Sequence, residues 1–142
     1  MRFWDTSAIV PLILEEPASA ACRRELRADP AMAVWLLTRT ELVSAIRRRE
    51  REGDLNASEL TIALRRLDGR ASRWTEITDV EHVRQRAERL LAVHPLRAAD
   101  ALQLSAALAL CGDRPRGRAL LTRDGALAVA AEREGFTTIV PQ

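Results

Sequence analysis

The chain has 142 residues, 47% hydrophobic and 30% charged, a balance that builds one buried core under a solvated surface and excludes disordered and low-complexity classes. Its formal charge is +2 and its pI about 9.0, and all 22 of its Lys+Arg positions are arginine, which excludes Schiff-base chemistry and the phosphate-binding lysine of a P-loop. Arginine's planar fork suits phosphate and carboxylate, so nucleic acid stays open as a partner.

Phe3-Trp4 is a short strand, followed by the cap-forming Asp5-Thr6-Ser7 and an apolar helix through Leu14. Pro17 to Leu26 reads as a second helix, Met32 to Leu37 as a strand, and Thr38 or Thr40 opens a helix that runs through Arg51 and stops at Gly53. Asn56-Ala57-Ser58-Glu59 caps a helix with Leu60, Ala63, Leu64 and Leu67 on one face. Trp74 to Thr78 is a third strand, and Asp79 caps the helix that carries Val83, Ala87, Leu90 and Leu91. Pro95 starts a helix from Leu96 to about Cys111; a turn-rich stretch then leads to a strand at Ala119 to Thr122, a helix at Ala126 to Glu134 and a last strand at Thr137 to Val140.

Strands alternating with helices imply right-handed crossovers between parallel strands, hence a three-layer α/β/α fold with a central, mainly parallel sheet in a single domain over residues 1–142. Such sheets place their sites at the carboxyl ends of the strands. Cys22 and Cys111 have no CxxC partner and read as free, mostly buried thiols. No apolar run approaches the length of a membrane span, and a cytoplasmic protein is expected.

Four acids stand where a site is expected. Asp5 follows the first strand and Asp124 the fourth, although each also fits a helix cap or turn. Glu41, in Thr38-Arg39-Thr40-Glu41, either closes a capping box or points to the same edge of the sheet. Asp100 sits in Ala98-Ala99-Asp100-Ala101-Leu102-Gln103-Leu104, apolar on nearly every side, so it calls for the helix dipole, an arginine such as Arg97, or a cation. Clustered carboxylates suit Mg²⁺, which generates hydroxide and stabilises a leaving oxygen in phosphodiester hydrolysis. Asp79 reads as a plain cap, and His82 and His94 have no metal-pair spacing.

The segments Phe3-Trp4-Asp5-Thr6-Ser7-Ala8, Thr40-Glu41-Leu42, Leu96-Arg97-Ala98-Ala99-Asp100-Ala101-Leu102-Gln103-Leu104 and Leu121-Thr122-Arg123-Asp124 together resemble the VapC-type PIN-domain ribonucleases, the toxins of VapBC toxin–antitoxin pairs. The resemblance implies that Asp5, Glu41, Asp100 and Asp124 hold one or two Mg²⁺ or Mn²⁺ ions, with Asp5 and Asp100 as direct ligands, and that a metal-activated water cleaves RNA. It implies support from Ser7 and Thr122, a homodimer, and a VapB-type antitoxin lying across the groove. Gln103 stands where the family often has histidine, and no part in the site is expected of it. Arg47-Arg48-Arg49-Glu50-Arg51-Glu52 reads as a solvated helix end, and Trp4, Trp35 and Trp74 as core.

Two other functions compete. A phosphoacceptor role for Asp5, as in receiver domains, would need the lysine this chain lacks. A PIN-like module that holds RNA or protein without cutting would need no acids, and all four are present.

Overall fold

The structure, a computed structural model, describes residues 1–142. In chain order the elements are β1 (Arg2–Trp4), α1 (Thr6–Ile13), α2 (Ser19–Ala28), β2 (Met32–Trp35), α3 (Thr38–Arg51), α4 (Ala57–Ala71), β3 (Thr75–Ile77), α5 (Val80–Val93), α6 (Ala98–Leu110), β4 (Ala119–Leu121), α7 (Gly125–Glu134) and β5 (Thr137–Ile139).

All five strands pair in parallel in the order β3-β2-β1-β4-β5. Because successive strand residues point to opposite faces, Trp4, Met32, Val34 and Leu121 enter one core with α1 to α4. Phe3, Ala33, Trp35 and Leu120 enter the other core with α5, α6 and α7. Both faces are covered, which is the three-layer α/β/α arrangement expected from the alternation of elements.

The chain leaves β1 toward β2 and β3, then returns across the sheet to β4. Strand order therefore reverses between β1 and β4, and the loops leaving their carboxyl ends diverge to form a crevice. The backbone extends the ladder to its brink: Asp5 N–H donates to Leu121 O at 2.9 Å and Thr122 N–H to Ile139 O at 3.1 Å. Thr122 is wholly buried there, while Asp124 is half-buried.

Several boundaries differ from the sequence reading. β2 ends at Trp35, and Leu36-Leu37 turn into α3. α2 begins at Ser19, whose Oγ accepts Glu16 N–H at 2.9 Å and donates to Leu14 O at 3.3 Å, so Pro17 lies in the preceding turn. α6 begins at Ala98 rather than at Leu96, because His94 to Leu96 are extended or turning, and Asp100 becomes the third residue of its first turn. The capping box at Asn56 and Glu59 forms as expected. Cys22 is buried, but Cys111, at the end of α6, is only half-buried; both thiols are free. No helix is long and apolar enough to cross a membrane.

Candidate active site

A cavity of about 730 Å³ opens where β1 and β4 diverge, and Asp5, Glu41, Asp100 and Asp124 all line it. Four separate elements bring them there: the end of β1, the first turn of α3, the first turn of α6 and the N-cap of α7.

Asp5 is only 4% exposed. Its Oδ2 accepts Ser7 Oγ–H at 2.5 Å, Thr122 Oγ1–H at 2.9 Å and Ser7 N–H at 3.2 Å. None of these bonds uses Oδ1, which is left to the cavity. Ser7 Oγ in turn accepts Arg123 N–H at 2.7 Å, and Thr122 Oγ1 accepts Asp124 N–H at 3.0 Å. Two hydroxyls thus hold one Asp5 oxygen and bind the β1 exit to the β4 exit. Capping and site geometry coexist here: Asp5 caps α1 through Ser7 N–H, and Asp124 Oδ1 caps α7 by accepting Leu127 N–H at 2.8 Å.

Glu41 makes no capping box. The N-cap of α3 is Leu37, with no side-chain cap bond. Glu41 Oε1 instead accepts Gln103 Nε2–H at 2.9 Å, and the same amide stands 3.0 Å from Thr6 Oγ1 and 3.2 Å from Thr38 Oγ1. Gln103, read from sequence as a bystander, is wholly buried and ties α6 to α1 and α3 behind the cavity. Asp100 is half-buried rather than enclosed, since α6 turns its first turn to the crevice and buries the run from Ala101 onward. Arg97 lies near it but forms no ion pair with it.

None of the four carboxylates is in an ion pair, although Glu16 at the cavity rim binds both Arg49 and Arg123. Burial, and secondarily repulsion from neighbouring acids, raises the pKa of three of them above the ordinary carboxylate range. Asp5 is raised by burial and by Asp124, Asp100 by burial and by Asp124 and Asp5, and Glu41 by burial and by Asp5 and Asp100. Hydrogen bonds from Ser7 and Thr122 offset part of the rise at Asp5, as Gln103 does at Glu41. Arg48 lies seven residues, two helical turns, beyond Glu41, so it shares that face of α3 and lines the cavity with Arg97 and Arg123, a role the run of charges around it does not show in sequence.

The sequence matches the PIN domain family over residues 2–139. The chain belongs to the PIN domain family. No curated protein matches it. PIN domains are generally a nuclease fold, typically metal-dependent, usually with Mg²⁺ or Mn²⁺, and in general bind RNA.

The donor set of this PIN domain fits such an ion. The four side chains offer only carboxylate oxygens, the donors hard divalent cations take, and none of them is in an ion pair with an arginine. No three His, Cys, Asp or Glu side chains converge closely enough to make a complete protein ligand set. A crevice ringed by spaced carboxylates suits Mg²⁺, which keeps several waters and uses one or two carboxylates at a time.

The raised pKa values set a pH dependence. A folded-state carboxyl raised above its unfolded value binds more protons than the unfolded chain, so its stabilising effect is full below about pH 4 and is lost as pH climbs through the folded value. Without metal, Tm should therefore fall relative to Asp100→Asn as pH rises above the ordinary carboxylate range, with Asp5, Glu41 and Asp124 lining the same cavity and Arg48, Arg97 and Arg123 at its rim. Added Mg²⁺ should raise Tm more at the higher pH. Thermal scans in EDTA and in Mg²⁺ measure both effects, and parallel pH profiles for the two proteins would show that Asp100 titrates normally.

Gln103→Leu removes the amide that holds Glu41 without adding buried polarity. It should raise the Mg²⁺ concentration needed for activity by about 10–100-fold, the usual cost of losing a group that orients a ligand, with an unchanged circular dichroism spectrum. Wild-type metal dependence in this variant would reduce Gln103 to packing.

Proposed function

We propose that this PIN domain is a Mg²⁺- or Mn²⁺-dependent endoribonuclease acting as the toxin of a VapBC-type toxin–antitoxin pair. The observation that carries the reading is the set of four unpaired carboxylates around one cavity at the point where strand order reverses. Asp5 and Asp100 would hold the ion most directly, with Glu41 and Asp124 completing the acidic ring, on one ion or two. When bound, the ion supplies an activated water and charge neutralisation at the scissile phosphate.

The protein's own groups do the rest. Ser7 and Thr122 fix the Asp5 carboxylate with Oδ1 toward the cavity. Gln103 fixes Glu41. Arg48 and Arg97, exposed at the rim and free of ion pairs, give phosphodiester oxygens forked donors on either side of the acids. Cytoplasmic RNA is the substrate, a homodimer is the working form, and a VapB-type antitoxin inhibits by laying its carboxyl-terminal segment across the cavity; these partners rest on the resemblance to VapC toxins.

Purified protein free of antitoxin should cut single-stranded RNA with Mg²⁺ and not with EDTA. Its induction should halt growth, and the product of a neighbouring short reading frame should restore it. Folded protein that binds RNA with Mg²⁺ and leaves it intact would instead favour a non-catalytic RNA-binding module.

A further inference from the structure

A second basic feature lies outside the acidic cavity. Arg66 and Arg70 on α4, Arg73 just after it and Arg23 on α2 surround a separate cleft of about 370 Å³, floored by Leu12. Arg23 is matched by Glu15, its two nitrogens lying 3.0 and 3.1 Å from the carboxylate. The others are in no ion pair: Arg66 donates to Ile13 O at 3.2 Å with Glu15 close enough to feel its charge, and Arg70 and Arg73 pair with no carboxylate. Arg70 is half-buried, and burial together with Arg73 lowers its affinity for its proton.

Cations near a helix C-terminus are favoured by the dipole, which accounts for Arg70 and Arg73 singly. It does not account for their convergence with Arg66, a turn earlier, and Arg23 from another helix. Gly69 is a second unexplained choice. It lies within α4, where glycine costs about 1 kcal/mol against alanine, and a Cβ built on it meets nothing within 4 Å. Its bare backbone lines the arginine cleft, the arrangement that lets a ligand approach closely.

A smaller cleft of about 90 Å³ adjoins the first through Arg70 and Arg73, and is walled by Trp74, Leu26, Pro30 and Met32. Trp74 is half-buried, its Nε1–H donating to Glu76 Oε1 at 3.1 Å. Forked cations leading to an aromatic edge match a nucleic-acid single strand, whose phosphates take arginine and whose bases take an aromatic face. An acidic peptide would be satisfied by the arginines alone.

We propose that the cleft of Arg66, Arg70 and Arg73 is a remote subsite for the phosphodiester backbone of single-stranded RNA, ending at Trp74. This rests on the reading of RNA as the substrate. Leu12 on the cleft floor stands about 9 Å along α1 from the residue that follows Asp5. A strand of a few nucleotides spans that distance, so one RNA can occupy both sites.

The test is equilibrium binding of a labelled, mixed-sequence single-stranded RNA of about 20 nucleotides, followed by anisotropy in EDTA so that nothing is cut, over a range of salt. Arg70→Gln/Arg73→Gln is compared with wild type and with Arg116→Gln/Arg133→Gln, which removes the same charge from exposed surface elsewhere. Affinity should fall about tenfold in the cleft variant, and the slope of log K on log salt should shrink by one to two counterions. The control should keep most of the wild-type affinity, and cleavage at saturating RNA should be unchanged in both. Equal affinity and slope in the cleft variant and wild type would overturn the subsite, as would an equal loss in the control; an acidic protein occupant predicts the first result. If the wild type binds RNA through the cleft but never cuts it, the nuclease reading fails and the subsite stands.

Discussion

Asp5→Asn should reduce RNA cleavage by about a thousandfold or more while leaving the metal-free protein as stable as wild type or more so. The two effects have one cause. Asp5 is 4% exposed beside three other acids, and its burial opposes ionisation. Asparagine keeps an oxygen that can accept Ser7 N–H and both hydroxyls, so the cap of α1 and the tie to β4 survive. What disappears is a carboxylate whose ionisation burial disfavours, which costs the metal-free protein stability and attracts a cation. Thermal unfolding in EDTA paired with an RNA cleavage assay separates the roles. Activity and stability lost together would make Asp5 a structural cap.

The second large effect concerns α6. Leu104→Ala should destabilise the fold by about 2–5 kcal/mol, lowering Tm by roughly 10 °C. Leu104 is wholly buried among Phe3, Trp35 and Leu120, one turn beyond Asp100 and next to Gln103. It anchors the helix that carries both to the sheet. Urea unfolding measures the loss. A change under about 1 kcal/mol would mean that the packed sheet tolerates the cavity by collapsing around it.

Much of this architecture is legible in local pattern. Alternating strands and helices point to the parallel sheet, and Asn56 with Glu59 marks a helix start because both partners of that box lie within four residues. Asp5 and Asp124 are legible as strand-end acids, and both line the cavity while acting as caps, so capping does not exclude a place at the cavity.

What local sequence leaves open is settled where a distant residue decides a local choice. Thr38 and Glu41 have the spacing of a capping box, yet Glu41 turns to Gln103, 62 positions away, and Thr38 is buried against the same amide. Nothing near Gln103 in sequence marks it as a donor to an acid. Pro95 suggested an earlier start for α6, but Leu96 N–H turns back to His94 O, and the helix begins only after Arg97. That shift moves Asp100 from an apolar helix body to a first turn facing the crevice. Arg48 was hidden within a run of charges; only the face it shares with Glu41 separates it from Arg47 and Arg49, which pair with Glu50 and Glu16.

A nuclease of this kind requires the four acids to act as one cation-dependent site for cutting RNA, and Asp100→Asn tests this most directly. Asp100 is the half-buried member, it makes no ion pair, and burial and its acidic neighbours raise its pKa. Antitoxin-free wild type and variant would be given the same pool of cellular RNA with Mg²⁺, with Mn²⁺ and with EDTA, after matching circular dichroism spectra. Wild type should cut with either ion and not in EDTA, and the variant should not cut under any condition. Equal cutting by the folded variant, or cutting by wild type in EDTA, would contradict a single cation-dependent site.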